Sequence, residues 1–280
     1  MQLAVVIITF NEEANIGRTL QSVQPLVADG KGEIIVVDSG STDRTVEIAK
    51  SFGAKVFVEE WKGFAAQKNS AIDKAVGDWI LSLDADEELD PLLIGELTGK
   101  NRSSTEVPYE WCLTLSGGNK LSSDRNAVGF TICRKNLFLG RWIKHGGFWP
   151  DPKLRLFRRE SGRFEARAVH EDVQLTGPIA HIRSGALIHH SYPNLSDYIE
   201  HMNRYSSLGA EMVVAKGPVR FSFINIVMRP MFTFIYNYFF RLGFLDGREG
   251  LLLHLYHAVY VSWKYAKAWE LSRQKTTMSS

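Results

Sequence analysis

The sequence predicts an α/β fold, with a Rossmann-like, mainly parallel central sheet and a helical C-terminal extension. Three observations carry that prediction. Apolar runs of strand length at 3–9, 33–38, 55–59 and 78–83 alternate with amphipathic stretches of helical period. Hydrophobic residues make up 45% and charged residues 23% of the chain, the usage of a folded globular protein, which excludes a disordered one. The 280 residues are long for one core, and their makeup shifts: 203–280 holds ten Lys/Arg against four Asp/Glu and 15 of the 32 aromatic residues. The expected division is therefore a domain over 1–200, with halves 1–90 and 91–200 of different pattern, and a basic, aromatic helical extension over 201–280.

Each element has a local reason. The run Leu3-Ala-Val-Val-Ile-Ile-Thr9 is uninterrupted, as expected of a strand covered on both faces. Asn11 is expected to cap the next helix, with Glu12 and Glu13 in its first turn and Ile16, Leu20 and Val23 as its buried stripe. After the second strand, Ser39-Gly-Ser-Thr42 reads as a turn. Asp43 then caps a helix that buries Val46, Ala49 and Phe52 and stops at Gly53. A third helix is expected over 64–76. The resulting β-α-β-α-β-α-β unit has right-handed crossovers, and ligands of such sheets bind at the carboxyl ends of the strands. Those ends carry 9–12, 38–41 and 84–88. Beyond Pro91 the alternation fades. Residues 100–127 read as exposed hairpins or loops and 128–192 as short strands with Gly and Pro breaks. From Leu195 to Leu271 the pattern is helical, broken at Gly217-Pro218 and at 243–250.

Several classes are excluded. A net charge of +2 does not suit non-specific nucleic-acid binding, so no nucleic-acid partner is expected. Cys112 and Cys133 lack metal-ligand spacing and cannot staple a chain of this size, which suits a reducing compartment. The N-terminal run has no basic lead-in or small-residue cleavage site, so no signal peptide is expected. The tail does not read as transmembrane: Asn225, Arg229, Pro230 and Asn237 interrupt its longest apolar run, and His254 and His257 the next. Aromatic residues mixed with Arg and Lys suit helices lying in the headgroup region of a membrane; the alternative is an apolar helical pair packed on the body or on a second subunit.

The chemistry centres on Asp84-Ala85-Asp86, followed by Glu87 and Glu88. Two carboxylates two residues apart at a strand end can aim at one hard cation, Mg²⁺ or Mn²⁺, together with phosphate oxygens. Asp is also common as a helix cap there, but four acids within five residues repel one another without a counter-cation. Further on, Trp142, Phe148 and Trp149 offer faces of the kind that stack on sugars, beside basic residues. Strand alternation turns Arg155 into the site and Leu154 and Leu156 away from it.

The segments Val6-Ile-Ile-Thr-Phe-Asn-Glu12, Ile34-Ile-Val-Val-Asp-Ser-Gly-Ser-Thr-Asp43 and Trp79-Ile-Leu-Ser-Leu-Asp-Ala-Asp-Glu87 resemble, in order, the motifs of the family 2 inverting glycosyltransferases of GT-A fold. The resemblance implies a UDP-sugar donor and a divalent metal. It makes 1–90 the nucleotide-binding half and 91–200 the acceptor half. Residue by residue, it puts Thr9, Phe10, Asn11 and Glu12 on the loop that meets the nucleoside, Asp38 on the carboxylate that accepts from the uracil N–H, and Ser41 in the adjoining turn. Gln67, Lys68 and Asn69 match the helix that reaches toward base and phosphates, Asp84 the ribose-side carboxylate and Asp86 the metal ligand. Val169-His-Glu-Asp172 matches the base-bearing motif, with Glu171 as base, Asp172 as its rival and His170 as an orienting neighbour. In Leu187-Ile-His-His-Ser-Tyr192, His189 matches a further metal ligand.

The second half, through Trp149-Pro-Asp-Pro-Lys-Leu-Arg-Leu-Phe-Arg-Arg159, Val169-His-Glu171 and Leu245-Asp-Gly-Arg-Glu-Gly-Leu251, resembles a bacterial subgroup that includes lipopolysaccharide inner-core β-1,4-glucosyltransferases. That implies glucose as the sugar and a lipid-anchored saccharide, a heptose of the core, as acceptor. The basic aromatic tail suits such an acceptor, since C-terminal helices lying on the lipid would hold a cytoplasmic enzyme peripherally on the inner membrane without a spanning segment. A glycosyltransferase of the same fold acting on another cell-envelope glycan or on a protein acceptor is an alternative, and two other classes are open. A nucleotidyltransferase would carry a Gly-rich basic loop after the first strand, where Thr-Phe-Asn-Glu stands. A non-catalytic scaffold would not need Asp38, Asp84, Asp86 and Glu171.

Overall fold

The computed structural model describes residues 2–99, 127–165 and 172–278. They cluster into two compact units, Met1–Lys135 with Asp151–His189, and Asn136–Pro150 with His190–Ser280. In the first unit the expected alternation is present. It runs β1 (Leu3–Thr9), α1 (Ile16–Val27), β2 (Gly32–Asp38), α2 (Thr45–Ser51), β3 (Lys55–Val58), α3 (Phe64–Lys74) and β4 (Trp79–Asp84). Then follow β5 (Glu87–Leu89), α4 (Pro91–Thr98), β6 (Gly129–Phe138), β7 (Arg141–Trp142), β8 (Pro152–Arg158), β9 (Gly162–Glu165), β10 (Asp172–Leu175) and β11 (Ile179–Tyr192). The main sheet runs β3-β2-β1-β4-β8-β6-β11-β5, with β7 on β6, while β9 and β10 pair separately. β3, β2, β1 and β4 are parallel, and antiparallel strands continue from β4. The α/β fold class with a helical C-terminal extension is thus the one observed.

The apolar β1 run buries both faces. Leu3, Val5 and Ile7 join the core under α1, with Leu20 and Val23, while Ala4 and Val6 join the core under α3, with Ile35, Val37, Ala71 and Ile72. Each of the larger side chains contributes roughly 1.5–3 kcal/mol by leaving water. Register then positions the site: Thr9 lies opposite Asp38 on one side, and Ile8 opposite Asp84 on the other. The carboxyl ends of β1, β2 and β4 are therefore level.

Three local expectations change. Asn11 does not cap α1, which starts at Ile16. It takes a left-handed backbone (φ 53°), and its Oδ1 accepts from the Thr42 N–H at 2.8 Å, because the facing loop offers it an orphan donor. α3 stops at Lys74, where Ala75 turns extended (ψ 141°). α4 was not expected, although its signal is plain in Asp90-Pro91: the Asp90 carboxylate accepts from Leu93 N–H at 2.8 Å and proline takes the first turn. A fourth change is that β6 and β11 are longer than the short strands expected after residue 128, at 10 and 14 residues, while β7, β9 and β10 are short as expected. Gly185, at φ 81°, lets β11 pass α4, since a Cβ there would lie 2.2 Å from Leu93 N. Of the loops expected over 100–127, all but the last residue lie outside the described residues.

The second unit is built on Phe138, Ile143, Tyr198 and Leu253. Its helices are α5 (Leu195–Val214), α6 (Arg229–Ile235) and α7 (Gly247–Met278), with π-type turns at Ile224–Met228 and Tyr236–Phe240 flanking α6. Lys267 on α7 reaches α5, donating to Asn203 O at 2.8 Å and Ser206 Oγ at 2.7 Å. The break at Gly217-Pro218 falls where expected, while the one expected over 243–250 is shorter, since the chain is helical again from Gly247. Asp246, buried before α7, accepts from the His145 N–H at 2.8 Å and the Lys144 N–H at 3.2 Å. Among the described residues no helix is long and apolar enough to cross a membrane.

Candidate active site

The site forms within the first unit, where the β1, β2 and β4 ends meet. Asp38 is fully buried, and its Oδ1 accepts from the Gly40 and Ser41 N–H groups at 2.9 and 2.8 Å while Oδ2 accepts from Ser41 Oγ at 2.5 Å. Asp38 thus organises the turn at the carboxyl end of β2. Ser41 Oγ in turn accepts from the Asn11 N–H at 2.8 Å, and Thr45 Oγ1 accepts from the Glu12 N–H at 2.7 Å. The loops after β1 and β2 are therefore tied together in advance, with the Phe10 ring left 56% exposed beside them.

Two buried polar atoms in the same corner have no hydrogen-bond partner among the described residues, Thr9 Oγ1 and Gln67 Oε1. They are neighbours through Ser39, whose N–H donates to Thr9 O at 2.9 Å and whose Oγ accepts from Gln67 Nε2 at 3.3 Å. Unsatisfied buried groups are costly and therefore rare in folded proteins, so the pair is built to meet something polar. Asn69 is different: both its amide atoms bond the Phe164 backbone, each at 2.9 Å, which fastens α3 to β9.

The acidic run divides by partner. Asp84 binds Lys68 Nζ at 2.9 Å through Oδ1 and Arg155 Nη2 at 2.5 Å through Oδ2. Glu87, fully buried, binds Arg155 Nη2 at 2.6 Å and Arg134 Nη1 at 3.3 Å, and its Oε2 accepts from the Asp84 N–H at 3.1 Å. Arg134 reaches on to Asp151 at 2.9 Å. Glu88 turns outward to Arg18 at 3.5 Å. Asp86 faces His189 Nε2 at 3.1 Å, an approach set by the pairing of β5 with β11, in which His189 lies opposite Glu87. The counter-charge that the acidic run demands is thus largely supplied by the protein, and Asp86 is the carboxylate left to an imidazole.

The electrostatics follow. Burial would raise the Asp84 carboxyl, but Arg155 and then Lys68 outweigh it and hold it well below the usual range. Burial likewise opposes ionisation of Asp86, yet His189 draws its pKa down. The Arg155 guanidinium is raised: desolvation is overcome by Asp84 and Glu87. Glu12 moves up, first by burial, then by the charges of Asp86, Asp43 and Asp84, against a hydrogen bond from Asn15.

Of the residues expected in the site, the structure brings together Thr9, Asn11, Glu12, Asp38, Ser41 and Gln67 in one corner, and Lys68, Asp84 and Arg155 in another beside Asp86 and His189. Asp172 opens β10 with its Cα opposite Glu165; Glu171 and His170 lie outside the described residues. Phe148 packs with the core of the second unit, near the His254 ring at 5.8 Å, and Trp142 meets Trp149 edge-on at 5.2 Å under Lys144. Sequence reasoning missed Glu87 and Arg134 as the links that seat Arg155; the available signal was the strand period, which puts Arg134 on the same face of β6 as buried Ile132.

A family model, glycosyl transferase family 2, matches residues 4–105. The lipopolysaccharide core biosynthesis glycosyltransferase LpsC of Rhizobium meliloti is 28% identical over 96% of this chain and 93% of its own. An uncharacterised glycosyltransferase of Rickettsia typhi is 30% identical over 97% of this chain and 88% of its own. Among solved structures, S. aureus TarS in complex with UDP-GlcNAc is 16% identical and covers 98% of this chain and 92% of that one, with a TM-score of 0.46. Glucosyl-3-phosphoglycerate synthase from Mycobacterium tuberculosis, with Mn²⁺ and UDP-glucose, is 32% identical over 31% of this chain and 34% of that one, with a TM-score of 0.29. The chain belongs to the family 2 glycosyltransferases. It is an enzyme that transfers a sugar.

Proposed function

We propose that the protein moves a hexose, glucose, from a UDP-sugar to a lipid-linked saccharide, a heptose of the lipopolysaccharide inner core, with inversion at the anomeric carbon, at the cytoplasmic face of the inner membrane. The observation that carries the reading is the division of the acidic run, in which Asp84 is neutralised by Lys68 and Arg155 while Asp86, among the described residues, meets the imidazole of His189 at 3.1 Å. The acceptor class is supported by the likeness to LpsC, named for lipopolysaccharide core biosynthesis and aligned along 96% of this chain.

The donor set fits a divalent ion, Mg²⁺ or Mn²⁺. Asp86 offers a hard oxygen and His189 an imidazole nitrogen, and among the described residues no third acidic, His or Cys side chain closes the cage. Open positions are what a diphosphate and water require. Bound there, the ion would supply Lewis-acid stabilisation of the departing UDP. The chain's own residues do the remaining work. Thr9, Phe10, Asn11, Glu12, Ser41 and Gln67 receive the nucleoside, with the orphaned Thr9 Oγ1 and Gln67 Oε1 meeting polar atoms of the base or ribose. Asp38 holds their turn. Lys68 and Arg155 fix Asp84 in its ionised form, so its carboxylate is oriented before the donor arrives. Glu171, with Asp172 next to it, takes the proton from the acceptor hydroxyl on the face opposite the leaving group.

The test is UDP release from a panel of UDP-sugars with truncated core lipids, followed by mass and linkage analysis of the product. UDP-glucose and a heptose-terminated lipid should give a β-linked glucoside. No UDP affinity in manganese or magnesium buffer would refute the donor reading, and turnover only with acceptors that carry no lipid would refute the acceptor.

A further inference from the structure

Between Phe221 and Leu245 twelve large hydrophobic side chains are exposed, among them Ile224 at 67% and Phe240 at 75%. The segment is anchored from behind. Pro230 is buried, Ser262 Oγ on α7 donates to Ile226 O at 2.8 Å, and Arg229 donates to Tyr265 Oη at 2.8 Å. The other side carries Phe232, Tyr236 and Phe240 at a spacing of four, with the last two rings stacked at 6.4 Å, so they share one face. A run of exposed aromatic and aliphatic groups this dense is unusual for a surface in water and marks a contact face.

Its charge selects the partner. From 218 to 245 there is no Asp or Glu, and the cations are Arg220, Arg229 and Arg241, all exposed. A second copy meeting this face across a two-fold axis would set arginine against arginine with no acid to receive either. An anionic lipid surface supplies what the face lacks: phosphates for the guanidinium groups and an acyl boundary for the rings. A span is not needed, and among the described residues none is present.

We propose that residues 221–245 form a monotopic wedge that seats Phe232, Tyr236 and Phe240 in the headgroup–acyl boundary of an anionic bilayer, with Arg220 and Arg241 on lipid phosphates, while Arg229 is held by Tyr265. This deepens the proposed function and rests on it for purpose, since it brings the enzyme to a lipid-linked acceptor, while the surface argument stands on exposure and charge.

The experiment is sedimentation of the full chain with vesicles of phosphatidylcholine alone or with one-third phosphatidylglycerol, with UDP binding measured in parallel by calorimetry in manganese buffer. The expected result is binding to anionic vesicles at least about tenfold tighter than to neutral ones, from two arginines at the surface at about 1 kcal/mol each. The double variant Phe232→Ser, Phe240→Ser should weaken it by about tenfold or more, and Arg220→Glu by about fivefold or more, both with unchanged melting temperature and UDP affinity. Equal pelleting with both vesicles, or none with either, overturns the wedge even where UDP binds. So does a concentration-dependent dimer that the phenylalanine variant dissolves, since a second copy would then cover the face. Failure of UDP binding with vesicle binding intact would instead remove the donor reading and leave the wedge standing.

Discussion

Glu87→Gln should destabilise the protein far more than Glu88→Gln, although the two residues are adjacent and alike. Glu87 is fully buried and accepts from Arg155 at 2.6 Å, Arg134 at 3.3 Å and the Asp84 N–H at 3.1 Å. Lys68, Arg155 and Arg134 face Asp84, Glu87 and Asp151, and Lys153 adds a fourth cation on Asp151 at 3.0 Å, so every acid of the cluster has a cation and none is in surplus. The amide keeps the shape and one acceptor oxygen but leaves a guanidinium excess in a buried place. Breaking one side of a buried pair costs about 3–5 kcal/mol, and the retained acceptor trims this to about 2–4 kcal/mol. That corresponds to a fall of about 5–10 °C in melting temperature for a chain of this size. Glu88, by contrast, pairs with Arg18 at 3.5 Å with side chains 21% and 40% exposed, and its loss should cost no more than about 1 kcal/mol. Urea unfolding of both variants, in EDTA so that no metal contributes, reads the difference. If Glu87→Gln unfolds within about 0.5 kcal/mol of Glu88→Gln, the ion-paired cluster is not what holds the turn from Asp84 to Glu87, and the electrostatic account of Asp84 fails with it.

Three further outcomes follow from the same geometry. Asp86→Ala should weaken manganese-dependent UDP binding by about tenfold to a hundredfold, and His189→Ala should act in the same direction, both read by calorimetry; metal titrations identical to the parent would remove the pair from the site. Glu171→Gln should lower kcat by about 10²–10⁴ with UDP affinity unchanged, and Asp172→Asn should leave more of it; the reverse order would transfer the base to Asp172. His254, buried between Gly146 and Gly243 with neither ring nitrogen hydrogen-bonded among the described residues, has its pKa lowered from 6.5 to about 4, first by burial and then by His257 and Arg241 against Asp246. The unfolded chain therefore binds the extra proton between pH 6.5 and about 4, and stability falls as pH drops through that window, by roughly 3 kcal/mol at 1.36 kcal/mol per unit. Urea unfolding should show this slope in the parent and lose it in His254→Leu.

The first ninety residues were legible because their rules are local and agree. An unbroken apolar run such as β1 has few places to go except between two helical layers, and Asn, Asp and Gly punctuate the turns between elements. Where two local options competed, the facing chain decided. Asn11 is as good a cap as it is a loop clasp, and only the nearness of the Thr42 N–H at 2.8 Å chooses the clasp. After Pro91 the strands take their register from partners distant in sequence, as when β11 pairs with β5, and no window of the sequence contains both. The start of α4 is legible in Asp90-Pro91, where an aspartate cap precedes a proline in the first turn.

The acidic run also shows what residue type leaves undetermined. Four carboxylates in five positions imply cations, and the sequence suggested one divalent ion because no protein cation stands near them in the chain. Folding brings Lys68 from α3, Arg155 from β8, Arg134 from β6 and Arg18 from α1, each from a different element. The repulsion that argued for a metal is thereby largely answered, and the case for the ion narrows to Asp86, whose facing residue His189 is a metal ligand in its neutral form and a cation when protonated. A guanidinium in place of that imidazole would close the last opening with a fixed charge. The imidazole leaves it open to exchange, and it is this difference between a paired acid and an exchangeable one that singles out Asp86, rather than Asp84, as the residue proposed to hold the donor's diphosphate through a divalent ion.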